Sequence, residues 1–251
     1  MANETSAVPK IIASPTPPVV ITIVIPVYNE EPILQSAVIE LIDRLGQFPW
    51  TYELVLAENG SRDKTVELAQ KLAERFPQVR TFSFGQPNYG GALKRGILEA
   101  RGEFVLCDEI DLCDTDFYER ALAELTSGRA DFVVGSKAMS GASDQRPFVR
   151  RLGTKAVNGL LHVTLGFTGT DTHGLKAFRR SVVRPIAEKC VVDRDMFASE
   201  LVIRAERAGV SMKEIPIRVL EKRVPTIGLA RRVPNVLKAV GRLVWAIRIE
   251  G

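Results

Sequence analysis

From residue 19 onward the chain alternates between two hydrophobic periods. Residues 19–27 form a continuous, mostly β-branched apolar run, the pattern of a strand covered on both faces. Ile33, Leu34, Ala37, Val38, Leu41, Ile42 and Leu45 then recur at helical spacing, with Glu30 and Glu31 in that helix's first turn, where the dipole favours acids. The same exchange repeats. Strands are predicted at 52–57, 79–84, 103–107 and 131–135, and helices at 65–76, 91–100 and 117–127. The second half is less regular. Residues 148–165 read as a helix with one apolar face, 171–178 as a polar-then-apolar turn, 199–208 as a helix, and 210–219 as strand-like, with Pro216 near its end. Residues 229–249 read as a basic amphipathic helix.

Strands alternating with helices imply a parallel sheet with right-handed crossovers. In such sheets ligands bind beyond the carboxyl ends of the strands. Three polar clusters follow three strands directly: Pro26-Val27-Tyr28-Asn29-Glu30, Glu58-Asn59-Gly60-Ser61-Arg62-Asp63, and Asp108-Glu109-Ile110-Asp111. They are expected to meet at one sheet edge. The stretch Ser14-Pro15-Thr16-Pro17-Pro18 cannot enter a helix or sheet interior, so residues 1–18 read as a tail. The expected division is a tail at 1–18, a catalytic domain at 19–225 and the closing helix at 226–251.

Composition bounds the rest. With 251 residues, 45% hydrophobic and 25% charged, the chain is an ordinary globular enzyme in content. Its net charge of +4 suits anionic ligands or a membrane surface without demanding either. The 3 cysteines have no metal-ligand spacing and read as free thiols of a reducing compartment. No leader is recognised, and no apolar run reaches the roughly 18 residues of a membrane span. The expected location is cytoplasmic, lying peripherally on the cytosolic membrane face where it meets a membrane. Basic residues are dispersed and aromatics few, which argues against nucleic-acid binding.

No glycine-rich loop follows the first strand, so neither a dinucleotide dehydrogenase nor a P-loop enzyme is expected. Tyr28, Asn29 and Glu30 suit a base or ribose but cannot wrap a pyrophosphate. A diphosphate then needs a counter-charge. Glu109 and Asp111 offer it by holding Mg2+ or Mn2+, since hard oxygen ligands suit ions that bridge carboxylates and phosphates. Asp108 rivals Glu109, and spacing does not separate them. Asp114 and Asp116 read as caps of the next helix.

These segments together resemble the family-two GT-A glycosyltransferases, within them the dolichol-phosphate mannose synthase group. The resemblance covers residues 20 to about 225. Ile23-Val24-Ile25-Pro26-Val27-Tyr28-Asn29-Glu30-Glu31 is similar to the family's first-strand signature, and Glu58-Asn59-Gly60-Ser61-Arg62-Asp63-Lys64-Thr65 to its second. Asn88-Tyr89-Gly90-Gly91-Ala92 and Ala100-Arg101-Gly102-Glu103 resemble the lead into the metal motif. Counted without gaps from Gly102, Glu109-Ile110-Asp111 falls on the Asp-x-Asp position. The chain departs from the pattern in Glu58-Asn59 for two aspartates and in Glu109 for the first metal-motif aspartate.

The resemblance implies a GT-A fold: a Rossmann-like, mostly parallel central sheet flanked by helices. It implies Pro26, Tyr28 and Glu30 lining a nucleotide pocket, Glu58 or Asn59 meeting the base, Glu109 facing ribose or metal, and Asp111 as metal ligand and first catalytic candidate. Gly135-Ser136-Lys137 resembles a Gly-Ser-Arg triplet. Arg146-Pro147-Phe148-Val149-Arg150-Arg151-Leu152, running on to Asn158, is similar to an interfacial helix of prenyl-phosphate synthases. Asp171-Thr172-His173-Gly174-Leu175-Lys176-Ala177-Phe178 resembles their Asp-to-Gly-Phe-Lys segment, one residue shorter. Asp195 through Glu200-Leu201 and then Glu214-Ile215-Pro216-Ile217 match a closing helix and strand. The subgroup's Ser-Lys pair survives only as Thr226-Ile227, with Arg223 or Arg231 as substitutes.

Arg150 and Lys137 are the candidate phosphate cations, Arg150 first because a guanidinium meets phosphate bidentately. His173 reads as structural. The implied reaction is an inverting displacement from a nucleotide-sugar donor to polyprenyl phosphate, whose anionic oxygen needs no strong base. A hydroxyl acceptor would need one, with Asp171 and Asp195 the candidates. The alternatives are a soluble hydroxyl acceptor, or a non-catalytic module that binds a nucleotide sugar or a partner. In the last helix Leu229, Val233, Val236, Leu237, Val240, Leu243, Val244 and Ile247 form an apolar face beside Arg231, Arg232, Lys238, Arg242 and Arg248. Such a face suits a membrane interface, the protein's own core, or a twin subunit in a homo-oligomer.

Overall fold

The first apolar run becomes Ile21–Val27 (β1), and every residue of it is buried. The computed structural model describes residues 20–145, 147–219 and 229–249, without the side chains of Asp144, Phe148, Val149, Arg150, Asp195 and residues 229–236. The chain then runs through Leu34–Leu45 (α1), Tyr52–Glu58 (β2), Thr65–Arg75 (α2), Val79–Ser83 (β3), Tyr89–Leu98 (α3), Phe104–Cys107 (β4) and Thr115–Thr126 (α4). Phe132–Ser136 (β5), Ser143–Asp144 (β6), Phe148–Leu165 (α5), Leu175–Arg179 (β7) and Arg180–Lys189 (α6) follow. After a 3-10 turn at Arg194–Met196 come Phe197–Arg207 (α7), Met212–Pro216 (β8), Arg218–Val219 (β9) and Leu229–Arg248 (α8). The expected tail lies outside the described residues, as do Arg223 and the Thr226-Ile227 pair.

Seven strands form one sheet in the order β3-β2-β1-β4-β7-β5-β8. All its pairings are parallel except those of β7, which runs antiparallel between β4 and β5. Here the expectation of a turn at 171–178 is corrected. Its second half is a central strand, hidden because four residues with a lysine among them carry no readable period. Helix α6 was also not foreseen; Pro185 inside it and four charged residues mask its amphipathic face. A third correction concerns Glu30 and Glu31. Helix α1 starts at Leu34, after them. Their N–H groups donate instead to Thr65 Oγ1 (2.7 Å) and Asp63 Oδ2 (3.2 Å), which holds the chain in a turn.

Two apolar layers sandwich the sheet. Ile23, Ile25 and Val27 pack with Leu34, Val38 and Leu41 on one face, toward α1, α2 and α4. Val24 packs with Ala92, Leu93 and Ile97 on the other, toward α3, α5, α6, α7 and α8. Each such side chain contributes about 1.5–3 kcal/mol on burial. The cysteines are free and buried. Asp114 caps α4, its side chain accepting the Phe117 N–H at 3.0 Å, as read from the acids after a strand.

One polar residue holds the opposite end of the sheet together. Glu53 on β2 is 4% exposed and accepts from Thr22 Oγ1 (2.7 Å), Arg80 Nε (2.8 Å) and the Arg101 N–H (2.9 Å). Burial alone would raise its carboxyl, yet Arg80, Thr22 and Arg101 together hold it below the ordinary glutamate range. Glu53→Ala is therefore expected to cost about 2–3 kcal/mol in urea unfolding, since it strands three donors, one on a partly exposed arginine. Because the folded value is depressed, Glu53's contribution is present above the unfolded glutamate value and fades as pH falls through the folded one. The wild-type advantage over the variant should shrink in melts below about pH 4.

Candidate functional site

The loops after β1 and β2 are laced together by side chains of the first two polar clusters. Asn29 takes a left-handed conformation, φ 53°, which asparagine tolerates. Its Oδ1 accepts the Arg62 N–H and its own N–H donates to Ser61 Oγ, both at 2.9 Å. Asp63 Oδ1 receives the Thr65 N–H at 3.0 Å and the Thr65 hydroxyl at 2.5 Å. This lacing leaves Tyr28 exposed at the rim, 39% accessible, while Pro26 is buried as the next-to-last residue of β1 and Glu30 is 8% exposed.

Glu58 and Asn59 form the floor. The Glu58 carboxylate is 1% exposed; it accepts the Ser61 N–H on Oε1 and the Ser83 hydroxyl on Oε2, each at 2.5 Å. Both of its oxygens thus brace the ends of β2 and β3. Asn59 accepts the Asn88 N–H at 3.3 Å, which ties β2 to the start of α3. Asn88 caps α3 through the Gly91 N–H at 2.8 Å and also accepts the Arg194 N–H at 2.9 Å. The helix start fits against that turn only because residue 90 is glycine: a Cβ there would lie 2.4 Å from the Arg194 carbonyl oxygen.

At the end of β4 the acids diverge. Asp108 turns inward, 2% exposed, and accepts the Glu109 N–H (2.6 Å), the Asp114 N–H (2.9 Å) and the Tyr118 hydroxyl (2.5 Å). Burial pushes its carboxyl up to about 7 even against those three donors. Ile110 sinks into the apolar layer, 4% exposed, leaving Glu109 exposed and Asp111 partly exposed on either side of it. The Asp111 carboxylate accepts no hydrogen bond from a described residue. Tyr89, at the start of α3, lies in the field of Glu109, Asp108 and Asp111; burial first, and those acids with Cys107 after it, raise its phenol.

The antiparallel β7 brings a second polar turn to the same edge. Asp171 is fully buried, with Oδ2 3.3 Å from Lys137 Nζ and Oδ1 accepting the His173 N–H at 2.9 Å. Burial would raise this carboxyl, but Lys137 and the His173 N–H hold it below the ordinary range. Gly174 packs directly on the Gly135 carbonyl, where a Cβ would sit 1.7 Å from the oxygen, so no other residue lets the turn close. Thr170 braces the turn from behind through Ser136 Oγ (2.6 Å) and Glu214 Oε2 (2.7 Å).

The structure therefore gathers Tyr28, Glu30, Glu58, Asn59, Glu109, Asp111, Lys137 and Asp171 at one edge. The side chains of Arg150, Asp195 and Arg231 lie outside the described residues. Sequence reasoning missed Tyr89, Glu214 and Lys176. Lys176 alone left a signal, a charge inside an apolar strand. Among the described residues no three His, Cys, Asp or Glu side chains converge as a metal cage. Magnesium and manganese do not need one, since one or two carboxylates and the substrate's phosphates complete their shell. Two oxygen donors at a strand end, one of them without a hydrogen bond from the described residues, fit that mode.

Comparison with known proteins agrees with this geometry. The description of Glycosyl transferase family 2 matches residues 22–186. Glycosyltransferase AglD of Haloferax volcanii is 28% identical over 235 residues, covering 92% of this chain and 38% of that protein. A dolichyl-phosphate beta-glucosyltransferase of Trichomonas vaginalis is 29% identical over 220 residues, covering 80% of this chain and 66% of its own length. The chain thus spans less than two thirds of these relatives. The solved structure of glucosyl-3-phosphoglycerate synthase from Mycobacterium tuberculosis, in complex with Mn2+, UDP and glucosyl-3-phosphoglycerate, matches with a TM-score of 0.62 and 19% identity over 90% of this chain and 80% of that one. The fold is GT-A, and with the match running from β1 into α6 the chain belongs to glycosyl transferase family 2.

Proposed function

We propose that this chain transfers a hexose from a nucleoside-diphosphate sugar to a polyprenyl phosphate, with inversion at the anomeric carbon. Glucose is the favoured sugar, rather than the mannose of the group first resembled, because a dolichyl-phosphate relative is named for glucosyl transfer. The observation that carries the reading is the split at the end of β4: Asp108 turned inward, Glu109 and Asp111 turned out beside the nucleotide loops. Tyr28 would cover the base, and Glu58 and Asn59 would set the floor beneath it. Glu109 and Asp111 would hold the divalent ion, which when bound supplies Lewis-acid stabilisation to a departing nucleoside diphosphate. Lys137 is the cation of this edge offered to a phosphate, and Arg150 is the second candidate, carried from the resemblance alone.

The state of Asp171 supports a phosphate acceptor. A carboxylate that is fully buried and ion-paired to Lys137 is poorly placed to take a proton from an incoming hydroxyl. A lipid phosphate brings an oxygen already anionic. That oxygen forms the new bond to the anomeric carbon as the bond to the diphosphate breaks, and no proton moves. Asp171 then serves by positioning Lys137.

The outer faces of α5 and α8 support a bilayer-facing surface. Leu152 and Val163 on α5, Leu237 and Trp245 on α8, and Ile249 just after it are between 50% and 84% exposed. Exposed Arg151, Lys155, Lys238, Arg242 and Arg248 accompany them. Trp with basic residues around apolar side chains is the composition of an interfacial helix. No described helix is long and apolar enough to cross a membrane. Incubating the chain with labelled UDP-glucose or GDP-mannose, Mn2+ and dolichyl phosphate in anionic vesicles is expected to move label from UDP-glucose into the lipid, and chelation is expected to stop it. Label that stays on the donor with every acceptor, metal present, would sink the reading.

A further inference from the structure

Lys176 is the second residue of β7, paired with Cys107 of β4 on one side and Val134 of β5 on the other. It is 3% exposed at the centre of a seven-stranded sheet. Its neighbours Leu175 and Ala177 face the layer under α1 and α4, so strand alternation turns Lys176 to the α3 face, with Phe178. From there the ammonium reaches back to the sheet edge and donates to the Gly174 carbonyl at 2.7 Å. That is its one hydrogen bond to a described residue. The carboxylate of this turn, Asp171, is spent on Lys137.

A buried ammonium with one hydrogen bond among the described residues is a costly arrangement, and proteins rarely keep one unpaired. Burial drives its pKa down to about 8, and the neighbouring Lys137 adds to that, while Cys107, Asp171 and Glu109 act from nearby to keep it charged. The cation thus lies within the field of both Glu109 in the acidic triplet and Asp171 in its turn. An anionic oxygen brought to that edge by a substrate would supply a further partner.

We propose that the Lys176 ammonium is a phosphate-binding contact of this site. The proposal rests on the transferase reading above. Two phosphates pass through the site, the donor's diphosphate and the acceptor's monophosphate, and both present the same chemistry to an ammonium. Lys176→Met and Lys176→Arg in the full chain separate the sources. Loss of one charge-assisted contact corresponds to about a 10–100-fold weakening. If Lys176 holds the diphosphate, Lys176→Met binds UDP with Mn2+ that much more weakly by calorimetry, with uridine affinity unchanged. If it holds the acceptor, UDP affinity stays and the KM for dolichyl phosphate rises by the same factor. Lys176→Arg should recover part of the loss in either case.

Wild-type protein with 13C-labelled lysine gives a second readout that does not depend on a variant folding. The ε-carbon signal of Lys176, the one buried lysine among the described residues, titrating near pH 8, should shift on adding UDP with Mn2+ or farnesyl phosphate. Lys176→Met within twofold of wild type in both affinity and KM, or a signal that neither phosphate moves, would overturn the assignment and leave Lys176 as a strut for the Gly174 turn. A wild-type chain that neither binds UDP nor transfers sugar would instead bring down the transferase reading itself.

Discussion

Asp111→Ala is expected to lower sugar transfer by about 100- to 10,000-fold while leaving stability within about 0.5 kcal/mol of wild type. The two halves of that expectation come from different observations. The stability half follows from exposure and partners: Asp111 is half-buried, and its carboxylate accepts no hydrogen bond from a described residue. Removing it strands no donor among the described residues and, at a part-exposed position, opens no cavity. The activity half follows from where it stands, at the end of β4, one buried residue away from Glu109 and beside the loops of β1 and β2. A divalent ion neutralising a departing diphosphate contributes several kcal/mol, and losing its firmest ligand forfeits most of that. The check is the initial rate of transfer against Mn2+ concentration, with a urea melt of the same preparation. A variant within tenfold of wild type at saturating Mn2+ would move the metal to other residues.

How the site could be read from sequence depends on which physical signal carried each part. Strands β1, β2 and β4 are legible because both faces are covered, so apolar residues dominate them, with only Thr22, Glu53 and Glu58 as polar breaks. The meeting of the three polar clusters is legible because parallel strands put their carboxyl ends on one edge. Strand β7 is not. Its burial comes from insertion between β4 and β5, a tertiary event, and its lysine breaks the apolar run. With β7 unseen, the placement of Lys137, Asp171 and Lys176 at the same edge could only be borrowed from a family resemblance. Hydrogen-bond direction is equally silent in sequence. Glu58 is occupied by Ser83, 25 residues on, and no local pattern distinguishes that brace from a free ligand. Counting from Gly102 selected Glu109 over Asp108 without a physical reason, and no local pattern shows that the Tyr118 hydroxyl draws the Asp108 carboxylate inward.

That inward turn makes Asp108 the opposite case to Asp111, and the second large effect expected. Asp108→Ala leaves the N–H groups of Glu109 and Asp114 and the hydroxyl of Tyr118 facing a buried space without an acceptor. Each stranded donor costs about 1–3 kcal/mol, and the three share one relaxed cavity, so about 3–5 kcal/mol is expected in total. That is a large part of a typical domain's stability of about 5–15 kcal/mol, and for a chain of this size it lowers the melting temperature by about 10 °C. Asp108→Asn should fall between, because its amide keeps the volume and one acceptor but points a second donor at Tyr118 or a backbone N–H. Transfer activity should fall as well, because Asp108 anchors the turn from which Glu109 and Asp111 project. The melting curve therefore decides the role. A large loss in unfolding free energy marks Asp108 as the anchor of the loop. An Asp108→Ala protein that melts like wild type yet is inactive would make Asp108 the metal ligand and displace Glu109 from that role.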